Sequence, residues 1–570
     1  MEKSTTRAFQ AILLNHKFPQ GTGEACEFAI KRYHKKMEAP VVKSEDTRPG
    51  ECWERWIQND NGLPGIQLPA GCWYKARLLI HEWLGSWRLG DVDFSNGSEY
   101  FATRGRNSIE AKLSASVWAS TALNFENFSR LCYSHKALKR SAKNRFSTLI
   151  RKRGDDAKSV DRYLWNRFKN AKDPGFLCFR AKLCLVTKIV HGSRFSTVPK
   201  NNEKVRPINI EPFANILSQK QVGNGIRQLL KTTVGIDLDT LALEHRKRIK
   251  DPSVATIDLS DASDSVSIEL VKFLFPGWFF TLLEDRRSHM VLGPDENFHL
   301  TKKISSMGNG FTFELMTLIL TAICRTLDPN SSVFGDDIII DKNKAHLLIN
   351  LLTEVGFKVN KEKSFTSGPF RESCGANWHD SFGYLKSYDF IYPENIHDCV
   401  VIYNKAHHLA RSGLEAFISL EQRLRRAIPP ALRGEWVSND DIVMLDQATG
   451  SSPSLARYFR CPKGSKVDVP SLTPYLEYYK KMNCHREVTS LFFSYKFVPE
   501  ERTPCRSHLR RSNWAKYEMY LHAGRRTKDV LTGCGEWVST LMVTFDHDVT
   551  VEVRQVKSIV KRDRDQIQPL

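Results

Sequence analysis

The chain has 570 residues, 41% of them hydrophobic and 11% aromatic, which is enough for a globular protein with several core-forming units. Lys and Arg number 84 against 64 Asp and Glu, a formal net charge of +20. The N-terminal MEKSTTRAFQAILLNHKFPQ has no signal-peptide architecture, LMTLILTAIC at 315–324 is too short and Thr-rich to span a membrane, and thirteen scattered cysteines without a CxxC pair form neither a disulfide ladder nor a zinc set. A soluble, intracellular protein with reduced cysteines is expected.

Residues 1–130 are mixed in character and carry a Trp-rich patch at Trp53, Trp56, Trp73, Trp83 and Trp87. A basic block follows. Between Lys136 and Arg206 there are 20 Lys and Arg against 5 Asp and Glu, interleaved with Phe146, Tyr163, Trp165 and Phe168. A solvated helical face explains part of this, but cations with aromatics at intervals point to a polyanion-binding surface, nucleic acid first and anionic lipid as the competing partner.

The run STVPKNNEKVRPINIEP (196–212) reads as extended, because Pro199 and Pro207 keep it out of helix. Lys200, Lys204 and Arg206 then share one side of a strand. They are either the guard charges of an edge strand or a clamp on a triphosphate. Next, VATIDLSDASDSVSIELVKFLF (254–275) begins as a strand from Val254 to Leu259 with Asp258 near its end. Ser- and Asp-rich residues make a turn, and a helix opens at Ser267. Asp261 reads as a solvated turn residue, whereas Asp258 is set in an apolar strand.

ISSMGNGFTFELMTLIL (304–320) places a Gly-Asn-Gly turn before a helix that begins near Thr312. Gly308 and Gly310 permit close backbone approach, and Asn309 and Thr312 offer neutral hydrogen-bonding groups. The stretch is either a plain helix N-terminus or a loop on which a template base or ribose rests. In SSVFGDDIII (331–340), β-branched and aromatic residues flank Gly335, Asp336 and Asp337, the pattern of a hairpin. Ile338, Ile339 and Ile340 show no polar alternation, so both faces of the second strand are expected to be covered. Two carboxylates at the lip of a buried sheet repel each other and lose hydration, and a divalent cation removes both problems. With Asp258, three carboxylates from two distant segments give the minimum set for two-metal phosphoryl transfer. Farther on, AHHLARSGLEAFISLEQRLRRAI reads as one amphipathic helix, and the last hundred residues are basic again.

The ordered strings VPKNN, GIDL, TIDLSDASDSVS, SMGNGFTFEL, FGDD and FRESCGA resemble the replicase subunit of the small positive-strand RNA bacteriophages, an RNA-directed RNA polymerase family. The resemblance covers about 196–385. It implies an α+β right-hand polymerase with an antiparallel palm sheet flanked by helices. By that likeness 1–195 are an N-terminal region and basic fingers, 196–250 fingers with the cationic strand, 251–385 the palm, and 386–570 thumb and C-terminal region. It further implies that Asp258, Asp336 and Asp337 hold two Mg²⁺ ions, with Mn²⁺ as a substitute. Lys200, Lys204, Arg206, Asp264 and Asn309 would contact the nucleoside triphosphate, and Lys363 would donate a proton to pyrophosphate. Gly308, Gly310, Thr312, Arg371, Cys374 and Gly375 would support template and product.

The same likeness implies host partners (the translation elongation factors Tu and Ts and a ribosomal RNA-binding protein), RNA and NTPs as ligands, no membrane, and action in the cytoplasm of an infected bacterium. Three positions depart from the pattern. Phe334 stands where Tyr is usual, and in a period-two strand its missing hydroxyl points away from the metals, so activity is expected to survive. Asp261 replaces a small uncharged residue. Met316 stands where wider positive-strand polymerases carry a sugar-reading Asn. An RNA-binding protein without catalysis, a metal-dependent nuclease and a reverse transcriptase share parts of this pattern. The first needs no metal, the second no triphosphate, and the third uses dNTPs.

Overall fold

The computed structural model describes residues 2–427, apart from 36, 38–45, 66–69, 96, 98–99, 102–111, 114, 116, 201–203 and 395, together with 542–545 and 549–552. The chain divides into two compact units, one of residues 43–385 and one that joins 1–42 to 386–570. Both are considered through their described residues only.

The 43–385 unit is organised round the apolar run that opens at Thr312. This helix, Thr312–Leu327, is buried on nearly every side, with Leu315, Leu318, Ile319 and Ile323 all inaccessible. A helix apolar all round must lie inside a core, and here the core includes helices Gly71–Leu84 and Phe213–Leu229. Trp73, Trp83 and Trp87 belong to that same core, so most of the N-terminal Trp patch is packing. Met316 lies there too, with 4% exposure.

Among the described residues fifteen short strands accompany the helices, most of them antiparallel, which makes the fold α+β. β1 (Trp118–Ser120) and β2 (Thr187–Ile189) form a parallel pair. A second sheet has the order β4-β3-β6-β7, with β3 at Gly192–Pro199, β4 at Val205–Ile210, β6 at Met290–Leu292 and β7 at Phe298–Leu300. The central sheet has the order β10-β5-β9-β8. Its members are β5 (Val254–Ser260), β8 (Ser332–Phe334), β9 (Asp337–Asp341) and β10 (Lys358–Val359). β11 (Phe370–Ser373), β12 (Ala376–His379) and β13 (Gly383–Tyr384) make a third antiparallel sheet.

Alternation explains the central sheet. Ala255, Ile257 and Leu259 of β5 and Ile338 and Ile340 of β9 enter the main core. Val254 and Ile339 point the other way, into a smaller cluster with Ile249 that Ala376, Trp378 and Tyr384 cover. Both faces of β9 are covered, as its unbroken Ile run requires.

In the other unit, helices Glu2–Leu14 and Glu24–His34 accompany Ile396–Arg411 and Ile418–Ala427. The stretch 406–428, read from sequence as one helix, is two. Gly413 adopts φ 88°, and the Leu414 amide donates to the Leu409 carbonyl, a Schellman closure that ends the first helix. The basic run read from sequence in the last hundred residues lies outside the described residues, except for two short strands, Met542–Phe545 and Val549–Glu552. No described helix is long and apolar enough to cross a membrane, and the described cysteines form no disulfide.

Candidate active site

The hairpin of β8 and β9 is the tightest kind. Phe334 pairs with Asp337, leaving Gly335 and Asp336 as the two-residue turn. Gly335 has φ 63°, and a Cβ there would lie 2.5 Å from the Phe313 ring, so only glycine fits. Its amide donates to the Thr317 hydroxyl at 3.1 Å, which anchors the turn on the buried helix. Sequence reading missed Thr317, whose signal was a polar residue inside an apolar helix one turn from Phe313.

β5 sets the third carboxylate. In the antiparallel register Asp258 lies directly opposite Asp337, so their side chains share a face of the sheet. Asp258 is 9% exposed. Its carboxylate accepts from Asn360 at 2.7 Å and from Lys363 at 3.4 Å, and its backbone amide donates to the Ser364 hydroxyl at 3.0 Å. Lys363 also faces Glu372 at 3.8 Å.

The electrostatics follow from this crowding. Burial and the Asp258 charge push the Asp336 carboxyl above the usual range, and Lys363 and Arg206 pull against them. Burial, with Asp336, Asp258 and Glu372, pushes Asp337 up to about 7, although the Cys374 amide donates to it. Burial lowers Lys363, but Glu372, Asp258 and Asp337 outweigh it and hold the ammonium above the ordinary lysine value. Among the described residues no group of three or more His, Cys, Asp or Glu side chains is already placed to hold a metal ion. The donors nevertheless suit a hard divalent cation, since all are carboxylate oxygens and the repulsion that raises Asp336 and Asp337 is relieved by positive charge.

The cationic run is not one strand. Pro199 pairs with Val205 and Val198 with Arg206, and the Lys200 amide donates to the Lys204 carbonyl, so β3 and β4 form a hairpin. Lys200 and Lys204 flank its turn, and residues 201–203 lie outside the described residues. The prolines that exclude helix also suit a chain reversal, and sequence alternation alone does not separate the two. Arg206 is close enough to act on Asp336. Phe195 and Val205 seat the hairpin on Cys52 and Trp56 of helix Arg48–Asn61.

Asp264 is buried in an ion pair with Lys303 at 3.3 Å and accepts from the Trp56 indole at 3.0 Å. Lys303 lies 3.7 Å over the Trp56 ring. Burial pushes the Asp264 carboxyl up and the Lys303 ammonium down. Asp261 takes the turn read from sequence, at φ 49° and exposed, and Ser267 caps the next helix by accepting from the Leu270 amide at 3.1 Å.

In the Gly-Asn-Gly loop, the close approaches are to the chain itself. A Cβ on Gly308 would lie 2.1 Å from the Asn209 carbonyl, and one on Gly310 2.8 Å from the Lys220 amide. Asn309 accepts from the Phe311 amide at 2.9 Å, and Thr312 donates to the Ser306 carbonyl at 3.0 Å. Sequence reading also missed Glu211, which accepts from Ser288 at 2.5 Å and which burial pushes up to about 7.

Arg371 is 2% exposed, donates to the Ile249 carbonyl at 2.7 Å and pairs with Asp380. Cys374 (φ 50°) and Gly375 (φ 75°) are the two-residue turn between β11 and β12, beside Asp337. Phe334 shares a face with Asp337, contrary to the period-two expectation. Its ring packs edge-on against Phe313 and His245, at centroid distances of 5.1 and 6.5 Å.

A sequence model of the family described as RNA replicase, beta-chain, matches residues 77–437. The RNA-directed RNA polymerase subunit beta of Qbeta virus (strain MX1) is 41% identical over 203 residues, 34% of this chain and 34% of that protein. That of Enterobacteria phage SP is 44% identical over 204 residues, 34% of this chain and 35% of that protein. The RNA-directed RNA polymerase beta chain of Escherichia phage MS2 is 41% identical over 201 residues, 34% of this chain and 36% of that protein. These matches span about a third of the length of each relative. Among solved structures, the RNA-dependent RNA polymerase from bacteriophage phi12 aligns with 75% of this chain and 76% of its own, at 12% identity and a TM-score of 0.38.

Proposed function

The chain belongs to the RNA replicase beta-chain family, and on that premise we propose that it is an RNA-directed RNA polymerase that copies a positive-strand phage genome. The fold would be that of a right-hand polymerase, with the central β10-β5-β9-β8 sheet as the palm. The observation that carries the reading is the opposition of Asp258 and Asp337 on paired strands, with Asp336 in the adjoining turn. A protein that only binds RNA has no use for three mutually repelling carboxylates at the end of a covered sheet.

The reaction joins the 3′-hydroxyl oxygen of the growing RNA to the α-phosphorus of an NTP and breaks the bond to pyrophosphate. Asp258, Asp336 and Asp337 would hold two Mg²⁺ ions, or Mn²⁺, which supply the positive charge that activates the hydroxyl and offsets the phosphates. Arg206 would meet the triphosphate beside Asp336, with Lys200 and Lys204 reaching it from the hairpin turn. Lys363, kept protonated by its carboxylate neighbours, would give its proton to the leaving pyrophosphate. Asp264 would shape the nucleotide pocket from within its ion pair with Lys303, and Asn309 from the loop it closes. Gly308, Gly310 and Thr312 would hold that loop for the template, and Arg371, Cys374 and Gly375 would hold the β11–β12 turn for the product end. Base pairing reads the sequence, so the three helices into which the basic block folds, Lys136–Arg153, Ala157–Phe168 and Pro174–Leu185, would serve as a backbone-contacting, salt-sensitive surface.

Host elongation factors Tu and Ts and a ribosomal RNA-binding protein are the proposed partners, in the cytoplasm of the infected bacterium. The test is incorporation of labelled NTPs on an RNA template with Mg²⁺, with and without host lysate. Asp336→Asn is expected to abolish incorporation and to retain RNA binding. Undiminished incorporation by that variant removes the assignment.

A further inference from the structure

His245 lies in helix Leu241–Arg248, outside every motif used above, and it is wholly buried. One ring nitrogen, Nε2, lies 2.8 Å from the Ser332 hydroxyl on β8. The other, Nδ1, lies 2.8 Å from the Ser373 hydroxyl on β11 and 3.5 Å from the Cys374 thiol. A neutral imidazole has one donor and one acceptor nitrogen, and a serine hydroxyl can meet either, so both contacts are satisfied together. Burial holds this imidazole neutral, with its pKa lowered to about 4.

The two serines belong to the two hairpins that meet at the acidic cluster. Ser332 begins the strand that leads into Gly335 and Asp336. Ser373 immediately precedes Cys374, whose amide donates to the Asp337 carboxylate. Cys374 holds a left-handed φ of 50°, unfavourable for a side chain with a Cβ, so the turn needs outside support to keep that amide on its target.

We propose that His245 is a positioning residue, which ties the β8–β9 hairpin to the β11–β12 turn and so holds the Cys374 amide on Asp337. The inference rests on the polymerase reading for its catalytic consequence, but the tie itself is measurable without catalysis. Removing the tie frees the turn and withdraws a donor from Asp337.

The test uses the full chain and four variants. His245→Leu removes both contacts at similar bulk, and Ser332→Ala and Ser373→Ala each remove one with little change in packing. His245→Gln retains a donor and an acceptor on one side chain. Amide hydrogen exchange is followed on peptides covering 370–377, and the helix Thr312–Leu327 reports global unfolding. NTP incorporation is measured as kcat and KM on the same preparations. Exchange at Cys374 is expected to quicken about tenfold or more in His245→Leu and Ser373→Ala, with the reference helix still protected. In those variants kcat should fall at least tenfold with KM for NTP within about threefold, and His245→Gln should recover most of both.

If His245→Leu does not fold, Ser373→Ala decides the matter alone. Unchanged Cys374 exchange in Ser373→Ala overturns the tie, whatever the polymerase does. Quickened exchange with full kcat overturns the positioning role. A wild-type chain inactive on every template, with and without lysate, refutes the polymerase reading and the catalytic half of the proposal, and is recognised before any variant is compared.

Discussion

Asp337→Asn should make the metal-free protein more stable while abolishing synthesis. Burial and the neighbouring carboxylates raise Asp337 from 3.8 to about 7. At about 1.4 kcal/mol per pKa unit, the ionised carboxylate costs the folded chain on the order of 4 kcal/mol at most. Counter-ions and local relaxation reduce that ceiling, and about 1–3 kcal/mol is expected, or roughly 2–5 °C in Tm for a unit of this size. Asparagine removes the charge and keeps an oxygen to accept from the Cys374 amide. The pH dependence fixes the cause. The folded-state value lies above the unfolded one, so the penalty in wild type is absent below about pH 4, grows as pH rises, and is complete above about pH 7. The advantage of Asp337→Asn should follow the same course, full at pH 8 and gone near pH 4. Thermal unfolding of both proteins in chelator at pH 5, 6.5 and 8 reads it directly. A variant no more stable than wild type at pH 8, or one whose advantage does not shrink at pH 5, refutes the reasoning.

Other outcomes follow from single contacts. Gly335→Ala forces a left-handed alanine against Phe313 and should cost roughly 2–5 kcal/mol of stability, seen in urea unfolding, and should remove synthesis with it. Lys303→Met leaves Asp264, and Asp60 whose carboxylate lies 3.9 Å from the same ammonium, without their buried cation and should cost about 3–5 kcal/mol, whereas Lys303→Met with Asp264→Leu should recover much of it. Arg371→Leu should lower stability by about 1–3 kcal/mol by leaving the buried Ile249 carbonyl without its donor, while the exposed Asp380 is solvated. If Arg371 acts only as a strut, synthesis by that variant well below its Tm stays near wild type, and a fall there places the arginine on the product strand. Lys363→Met should lower kcat and remove any basic limb of the rate profile that belongs to its ammonium.

The elements with strong local rules were legible in the sequence. The turn at Gly335, the covered strand Ile338–Ile340, the cap at Ser267 and the helix at Thr312 each rest on a residue type that permits few alternatives. What escaped depends on partners far along the chain. The opposition of Asp258 and Asp337 is set by strand register, and the Asn360 and Lys363 contacts by a segment about a hundred residues away. The cationic run was taken as a strand because charge alternation looks the same on a strand and across a reversal. Asp264, read as a pocket residue, is held by Lys303 and Trp56, neither of which carries a local signal. Gly308 and Gly310 permit close approach as expected, and what approaches is the protein's own backbone. The helix break at Gly413 was visible as a glycine within an amphipathic pattern, and the periodicity on either side hid it.

The most direct test of the central claim is the identity of the RNA made. Purified chain, with and without host lysate, is given a defined RNA template, Mg²⁺ and four NTPs, and the labelled product is sequenced. A full-length complement of the template, made with NTPs and not with dNTPs and lost in Asp336→Asn, is the expected result. Label added without regard to template sequence, product made equally from dNTPs, or template degraded without synthesis would contradict it.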